Sequence, residues 1–231
     1  MLVSRRLLAA SSAAALTAIA GDIGPASAAP TIATKIPCVA NLGLGGAMTL
    51  PLTGSGFTPN GVVALQTSTS SSPTPKNLAS VSADAGGNIA SRIDPPAFKS
   101  RSTVQETFNL IAIEAANPAN TATATFRQVR FGFDAKPSTG RPARRVTYTA
   151  RGFLPGKPVY VHFRFRGKTR RNLKIGVARA PCGIASKKMR LLPMKTRFGT
   201  WTVYMDQAPA YSKATLLQAK GSLVIKRTLS P

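Results

Sequence analysis

The feature that most constrains this fold is a repeat inside the chain. Gly56, Phe57, Thr58, Pro59, Asn60, Gly61, Val62 and Val63 return in outline as Gly152, Phe153, Leu154, Pro155, Gly156, Lys157, Pro158 and Val159, an offset of 96 residues. That offset is about the size of one small β-sandwich. Each copy reads as a strand ending in a buried Phe, a Pro-Gly or Pro-Asn-Gly turn, and a new Val-rich strand. The 231 residues leave room for two such units.

Hydrophobic residues make up 43% of the chain and charged residues 16%, enough apolar material for packed cores. Short apolar stretches recur between Gly, Pro, Ser and Thr clusters without a sustained helical period, which predicts an all-β fold. Val159, Val161, Phe163 and Phe165 alternate with Tyr160, His162, Arg164 and Arg166, so one face of that strand is apolar and the other wet. Trp201, Val203 and Met205 alternate with Thr202, Tyr204 and Asp206 in the same way. Further strands are expected over 89–93, 108–115 and 121–129, and the Ser/Thr/Pro tract 67–75 is expected as an exposed loop. Strands with one apolar face need a second sheet to cover them. The run 136–142 fits either a linker or the opening of the second unit.

On these motifs the chain resembles the immunoglobulin-like modules of bacterial secreted and cell-surface proteins, in which Gly-Phe-x-Pro-Gly and a following Val mark this turn. Asp84, Ala85, Gly86, Gly87 and Asn88 look like the mid-domain turn of those modules, and Asn117 to Asn120 like the tip of the closing hairpin. Residues 148–227 also resemble a basic C-terminal module of secreted proteins from high-GC bacteria, through Arg151-Gly152-Phe153, Pro181-Cys182-Gly183, Arg190-Leu191-Leu192-Pro193 and Gly199-Thr200-Trp201-Thr202-Val203. The resemblance implies two tandem immunoglobulin-like β-sandwich domains, over 30–130 and 131–231, and supplies no site residues.

Residues 1–29 read as a signal peptide. Arg5 and Arg6 precede an uncharged stretch from Leu7 to Ala20, and Ala26, Ser27, Ala28 and Ala29 supply a small-residue exit. The stretch is shorter than the roughly 20 apolar residues needed to cross a bilayer. Ser4, Arg5, Arg6, Leu7 and Leu8 resemble a twin-arginine export motif from which Ala9 departs, so that route and the general secretory route both stand. Either makes the product secreted or cell-surface, with no transmembrane helix in the mature chain. No oligomeric state follows.

The 31 Lys and Arg against 7 Asp and Glu are unevenly placed. Residues 30–130 hold 7 cations and 4 acids, whereas residues 131–231 hold 22 and 2. If Val161 and Phe163 share a core with Leu173 and Ile175, the expected register pairs Phe163 with Leu173 and Val161 with Ile175, around a three-residue loop Gly167, Lys168 and Thr169. Arg166 then faces Arg170, with Arg164 and Lys174 on the same wet face. Like charges directly opposite cost up to about 1 kcal/mol per pair, which a bound anion relieves. Arg164, Arg166, Lys168, Arg170 and Lys174 are therefore the expected core of a polyanion-binding surface, with Lys187, Lys188 and Arg190 as outer contacts if they fold beside it. The expected partners are an anionic cell-wall polymer, an acidic polysaccharide or an anionic lipid surface, with extracellular nucleic acid as a further polyanion. The alternative is a structural or protein-binding envelope component whose cations are only a solvated face.

Chemistry for catalysis is thin. His162, the sole histidine, lies mid-strand among cations without a partner near it in sequence and is expected to be structural or a surface residue. Asp84, Asp94, Glu106, Glu114, Asp134 and Asp206 follow neither an EF-hand nor a paired-carboxylate spacing, and Asp84 is expected to make its own turn. The run 43–48 lacks the Lys of a phosphate loop and reads as a flexible turn. No enzyme activity, metal or cofactor is expected. Cys38 and Cys182 fall one in each unit; a disulfide between the units and two separately buried thiols are both open.

Overall fold

The computed structural model describes residues 29–42, 48–98, 100, 102–194 and 197–227. The expected leader, apart from Ala29, and most of the run 43–48 lie outside the described residues. The regular elements described are all strands. In the first half these are β1 (Thr31–Thr34), β2 (Cys38–Asn41), β3 (Leu50–Ser55), β4 (Val62–Thr69), β5 (Ser72–Ser82), β6 (Ile89–Ile93), β7 (Gln105–Glu114) and β8 (Thr121–Arg130). The second half has β9 (Gly132–Lys136), β10 (Thr139–Gly140), β11 (Arg145–Arg151), β12 (Pro158–Phe165), β13 (Lys168–Val177), β14 (Ala185–Arg190), β15 (Gly199–Asp206) and β16 (Ala219–Ile225).

The sequence repeat is a repeat of topology. In the first half β1-β3-β6 face a five-stranded sheet ordered β2-β8-β7-β4-β5. In the second, β9-β11-β14 face β10-β16-β15-β12-β13, the same plan moved on by eight strands. Even the parallel pairing is shared: β2 runs parallel to β8, and β10 to β16. The protein is thus two tandem immunoglobulin-like β-sandwiches. The run 136–142 supplies β10 and belongs to the second.

The alternation builds both cores. Val159, Val161, Phe163 and Phe165 turn inward with Trp201, Val203 and Met205. Phe165 packs on Trp201 at 4.9 Å between ring centroids, and Phe163 meets Tyr148 edge-on at 6.0 Å. Tyr148 is fully buried, and its hydroxyl donates to the Leu191 carbonyl, so its polar tip is satisfied inside the core. In the first sandwich Leu50, Leu52, Val63, Leu65 and Leu110 fill the interior around stacked Phe108 and Phe126, 5.3 Å apart. Each such side chain contributes roughly 1.5–3 kcal/mol on burial.

The Ser/Thr/Pro tract differs from expectation. Residues 67–75 form the far end of the β4–β5 hairpin, and Thr67, Ser68 and Thr69 are buried. Thr67 and Ser68 still pair with Leu110 and Asn109 of β7, and the β-branched Thr suits a strand. Pro73 and Pro75 fall on β5, an edge strand, where a missing N–H need cost no ladder bond.

The repeated turn is clamped by the same backbone bonds in both units. The Phe57 amide donates to the Gly87 carbonyl and the Phe153 amide to the Gly183 carbonyl, each at 3.2 Å. Gly87 and Gly183 have φ of 75° and 62°, and a Cβ on either would run into the carbonyl of that Phe. As expected, Asp84 makes its turn, its Oδ1 accepting the Gly86 and Asn88 amides, both at 2.8 Å.

Cys38 and Cys182 are bonded, with Cα atoms 5.2 Å apart and a separation of 144 positions in sequence. The bridge joins β2 of one sandwich to the β13–β14 turn of the other, among Ala40, Val129 and Ile184. Phe131 packs on Phe153 beside it at 5.0 Å between centroids. Gly183→Ala and Gly87→Ala are each expected to destabilise the fold by about 1–3 kcal/mol, because both demand a left-handed backbone pressed against a carbonyl. Urea unfolding of the two variants measures this; a change below about 0.5 kcal/mol would remove the clamp from the account.

Candidate functional site

The second sandwich spends both of its carboxylates internally. Asp134 Oδ2 lies 2.7 Å from Arg151 Nη1, and Asp206 Oδ1 lies 2.9 Å from His162 Nε2. Among the described residues these are the ion pairs present, so the remaining cations of this unit meet no carboxylate within 4.0 Å.

The β12–β13 hairpin positions the densest cations. Its turn has two residues, Arg166 and Gly167, with φ of 48° and 76°, the signature of a type I′ turn. The register therefore differs from the expected three-residue loop: Phe165 faces Lys168, Phe163 faces Arg171, and Val161 faces Leu173. Irregularities between Phe163 and Arg164 and between Val159 and Tyr160 take up the extra residues of β13. These bulges let a tight turn coexist with inward-facing apolar residues on both strands, which a regular ladder does not allow. Arg171, opposite a core Phe, reaches outward and donates through Nη1 to the Pro193 carbonyl.

His162 is not a surface residue. It is fully buried on the outer face of the five-stranded sheet, under the connection 207–218 between β15 and β16. Its Nδ1 is 2.9 Å from the Asn172 side-chain amide and its Nε2 2.9 Å from Asp206 Oδ1, so both ring nitrogens have a partner and the plane of the ring is fixed. Asp206 also accepts from the Ala208 amide at 2.8 Å and from Gln218 Nε2 at 2.7 Å. Burial pushes the Asp206 carboxyl up; the hydrogen bonds from His162, Gln218 and Ala208, with the charge of His162, outweigh it and hold it below the usual aspartate range.

Arg164 ties the hairpin to this connection. Its guanidinium lies 4.1 Å over the Tyr211 ring, donates to the Tyr211 hydroxyl at 2.8 Å, and donates through Nη2 to the Gly167 carbonyl. Tyr211 in turn packs on Tyr204, with centroids 5.0 Å apart, and edge-on to His162 at 6.0 Å. Arg164 is half-buried and engaged with the protein itself.

The remaining expected site residues separate into groups. Arg166, Lys168 and Arg170 are exposed together at the hairpin tip. Lys174 lies farther along β13, and Lys187 donates through Nζ to its carbonyl at 3.2 Å, so these two meet across the gap between the sheets. Lys188 and Arg190 do not fold back beside the tip. They pair with Thr147 and Arg145 on the outer face of the three-stranded sheet, because alternation along β14 sends them away from the core that Ala185 enters.

Sequence reasoning missed the His162–Asp206 pair, whose members lie 44 residues apart. A signal existed in loop length: 207–218 is much longer than 115–120, the matching connection in the first unit. Asp206→Asn disrupts the buried carboxylate that bonds His162, Gln218 and the Ala208 amide and is expected to cost about 1–3 kcal/mol. An aspartate depressed in the folded state stabilises above its unfolded pKa and loses that contribution as pH falls through the folded value. The native protein should therefore lose stability as pH drops below about 4, and D206N should show a shallower loss, with Asp84 and Glu114 supplying the rest. Thermal melts between pH 7 and pH 2 test this; equal slopes would remove Asp206 from the balance.

No family model matches the chain, and no curated protein matches it. Among solved structures it is similar to a tetra-tandem repeat in the extending region of a large adhesion protein, at 17% identity, covering 84% of this chain and 48% of that one, with a TM-score of 0.29. Bovine butyrophilin is similar at 12% identity, with 86% and 99% of the two chains covered and a TM-score of 0.30. Red sea bream transglutaminase is similar at 13% identity, with 78% and 29% covered and a TM-score of 0.29. The chain thus spans about half the length of the adhesion-protein structure.

Proposed function

We propose that this is a secreted, non-enzymatic binding protein that attaches to an anionic polymer or surface through its second sandwich. The observation that carries the reading is the exposed group Arg166, Lys168 and Arg170, held at a hairpin tip in a unit whose two carboxylates are both taken up by internal ion pairs. Arg166 lies in the turn and Arg170 at the bulge rather than opposite one another, but the tip cations still crowd together with no carboxylate in reach, and an anion supplies the missing counter-charge. The first sandwich serves as a spacer or a further contact.

The leader expected over residues 1–29 and the disulfide support an extracytoplasmic setting, since disulfides persist outside the reducing cytoplasm. The likeness of 148–227 to a basic module of secreted proteins from high-GC bacteria points the same way. Among the described residues no helix is long and apolar enough to cross a membrane. A polymer or lipid of the envelope, or an acidic polysaccharide outside it, is then the accessible ligand.

Binding to single-stranded DNA, used as a model polyanion, is expected to weaken linearly in log affinity against log salt. The triple variant R166A/K168A/R170A should lower that slope by about 2, at roughly 0.7 per lost contact, and elute earlier from heparin. Arg164 is left in place because it holds the hairpin. An affinity indifferent to salt, or an unchanged slope in the variant, would replace this reading with a structural or protein-binding envelope component.

A further inference from the structure

We infer that the junction between the two sandwiches is a second anion site, built from both units and held in register by the Cys38–Cys182 bond. A cleft of about 510 Å³ opens there beside the disulfide, and Cys182 is part of its wall. The first sandwich contributes Gln105 and Arg127; the second contributes Arg179 and Ser186, with Val177 and Pro181 as apolar lining. That volume falls within the roughly 300–1,000 Å³ typical of small-molecule sites.

Both arginines are anchored next to the bridge. Arg127 is the cross-strand partner of Cys38, and its amide donates to the Pro37 carbonyl at 2.9 Å. Arg179 exchanges two backbone hydrogen bonds with Ile184, at 2.9 and 3.1 Å, across the turn that carries Cys182. Arg127 thus lies directly opposite Cys38, and Arg179 lies three residues before Cys182. No carboxylate lines the cleft, and among the described residues neither arginine has one within 4.0 Å.

Two arginines from different units line one cleft that has no carboxylate in its wall, and the disulfide ties those units together beside it. A compact oxyanion is the ligand such a wall suits. The planar fork of Arg matches the paired oxygens of a carboxylate or phosphate, and Gln105 and Ser186 add neutral hydrogen-bonding groups. Val177, 45% exposed, and Pro181 give the body of the ligand an apolar wall. The ligand class is a small molecule, or the end of a larger one, that carries a phosphate or carboxylate on a sugar-sized body. This site stands apart from the hairpin tip and does not depend on the polyanion reading.

The test titrates the full mature protein with glucose 6-phosphate, glucuronic acid and glucose, followed by NMR. Saturable shifts are expected with at least one of the two charged sugars and none with glucose, and which one binds tells phosphate from carboxylate. R127A and R179A should each weaken binding at least tenfold. R127K, which keeps the charge and loses the fork, should still weaken it severalfold. C38S/C182S should lose it to a similar degree, while R166A/K168A/R170A should change it less than twofold. The proposal is overturned if neither charged sugar binds, if R127A and R179A bind as the native protein does, if C38S/C182S binds undiminished, or if the tip variant alone abolishes binding.

Discussion

The backbone clamp between the Phe153 amide and the Gly183 carbonyl fixes more than one turn. Its geometry leaves no room for a Cβ at Gly183, so the β13–β14 connection lies flat against the start of the turn after β11. Cys182 sits one residue earlier, and its carbonyl accepts the Gly152 amide at 3.1 Å, which holds the cysteine at the edge of the second sandwich. From there it meets Cys38, and the two sandwiches are covalently joined. The first unit has the same clamp at Gly87, with Gly86 where the second has Cys182. One position in a repeated turn, changed from glycine to cysteine, separates a purely intradomain device from one that also sets the relation between domains. Arg179, bridged to Ile184 across that turn, owes its place at the junction to the same clamp.

The buried pair His162–Asp206 shows a different use of charge. Removing two ionisable groups from water is costly, and the attraction between them compensates only when their other hydrogen-bonding capacity is met. Asn172, Gln218 and the Ala208 amide meet it here. The pair orders the connection 207–218 over the sheet, and that connection brings Tyr211 to Arg164. The tip cations therefore project from a hairpin whose base is braced from the side. A braced hairpin loses less conformational freedom on meeting a ligand than a free one, so more of the electrostatic attraction remains as affinity.

The parts of the fold legible in the sequence are those governed by period and repetition. Alternation from Val159 to Phe165 placed a strand with its apolar face inward, and Ile89–Ile93 is a strand over the expected residues. The repeated Gly-Phe turn gave two like units because the same backbone geometry demands the same residues twice. Register was not legible across β12 and β13, since a bulge shifts pairing without changing the residue types on either side. Thr67, Ser68 and Thr69 looked like a loop because small polar residues suit both a turn and a covered strand end. The partner of His162 was hidden because β15 reaches it only through folding, and pairing across 44 residues leaves no local mark. The disulfide stood open for the same reason: its geometry is tertiary.

The distribution of cations bears on the shape of an anionic partner. Arg166, Lys168 and Arg170 project from the tip of a hairpin in the five-stranded sheet, whereas Lys188 and Arg190 lie on the outer face of the three-stranded sheet beside Arg145. The outer faces of a sandwich point in opposite directions, so a flat anionic surface touching one leaves the other in solvent. Charges farther away than a Debye length of about 8 Å at physiological salt add little through the solvent. A flexible chain can pass from the tip along β13, past Lys174 and Lys187, and around the edge of the sandwich. That path follows a strand of ten residues, about 30 Å at 3.3 Å per residue. On the proposed polyanion reading, a linear partner can engage both groups on one molecule at once, whereas a planar one meets only one of them.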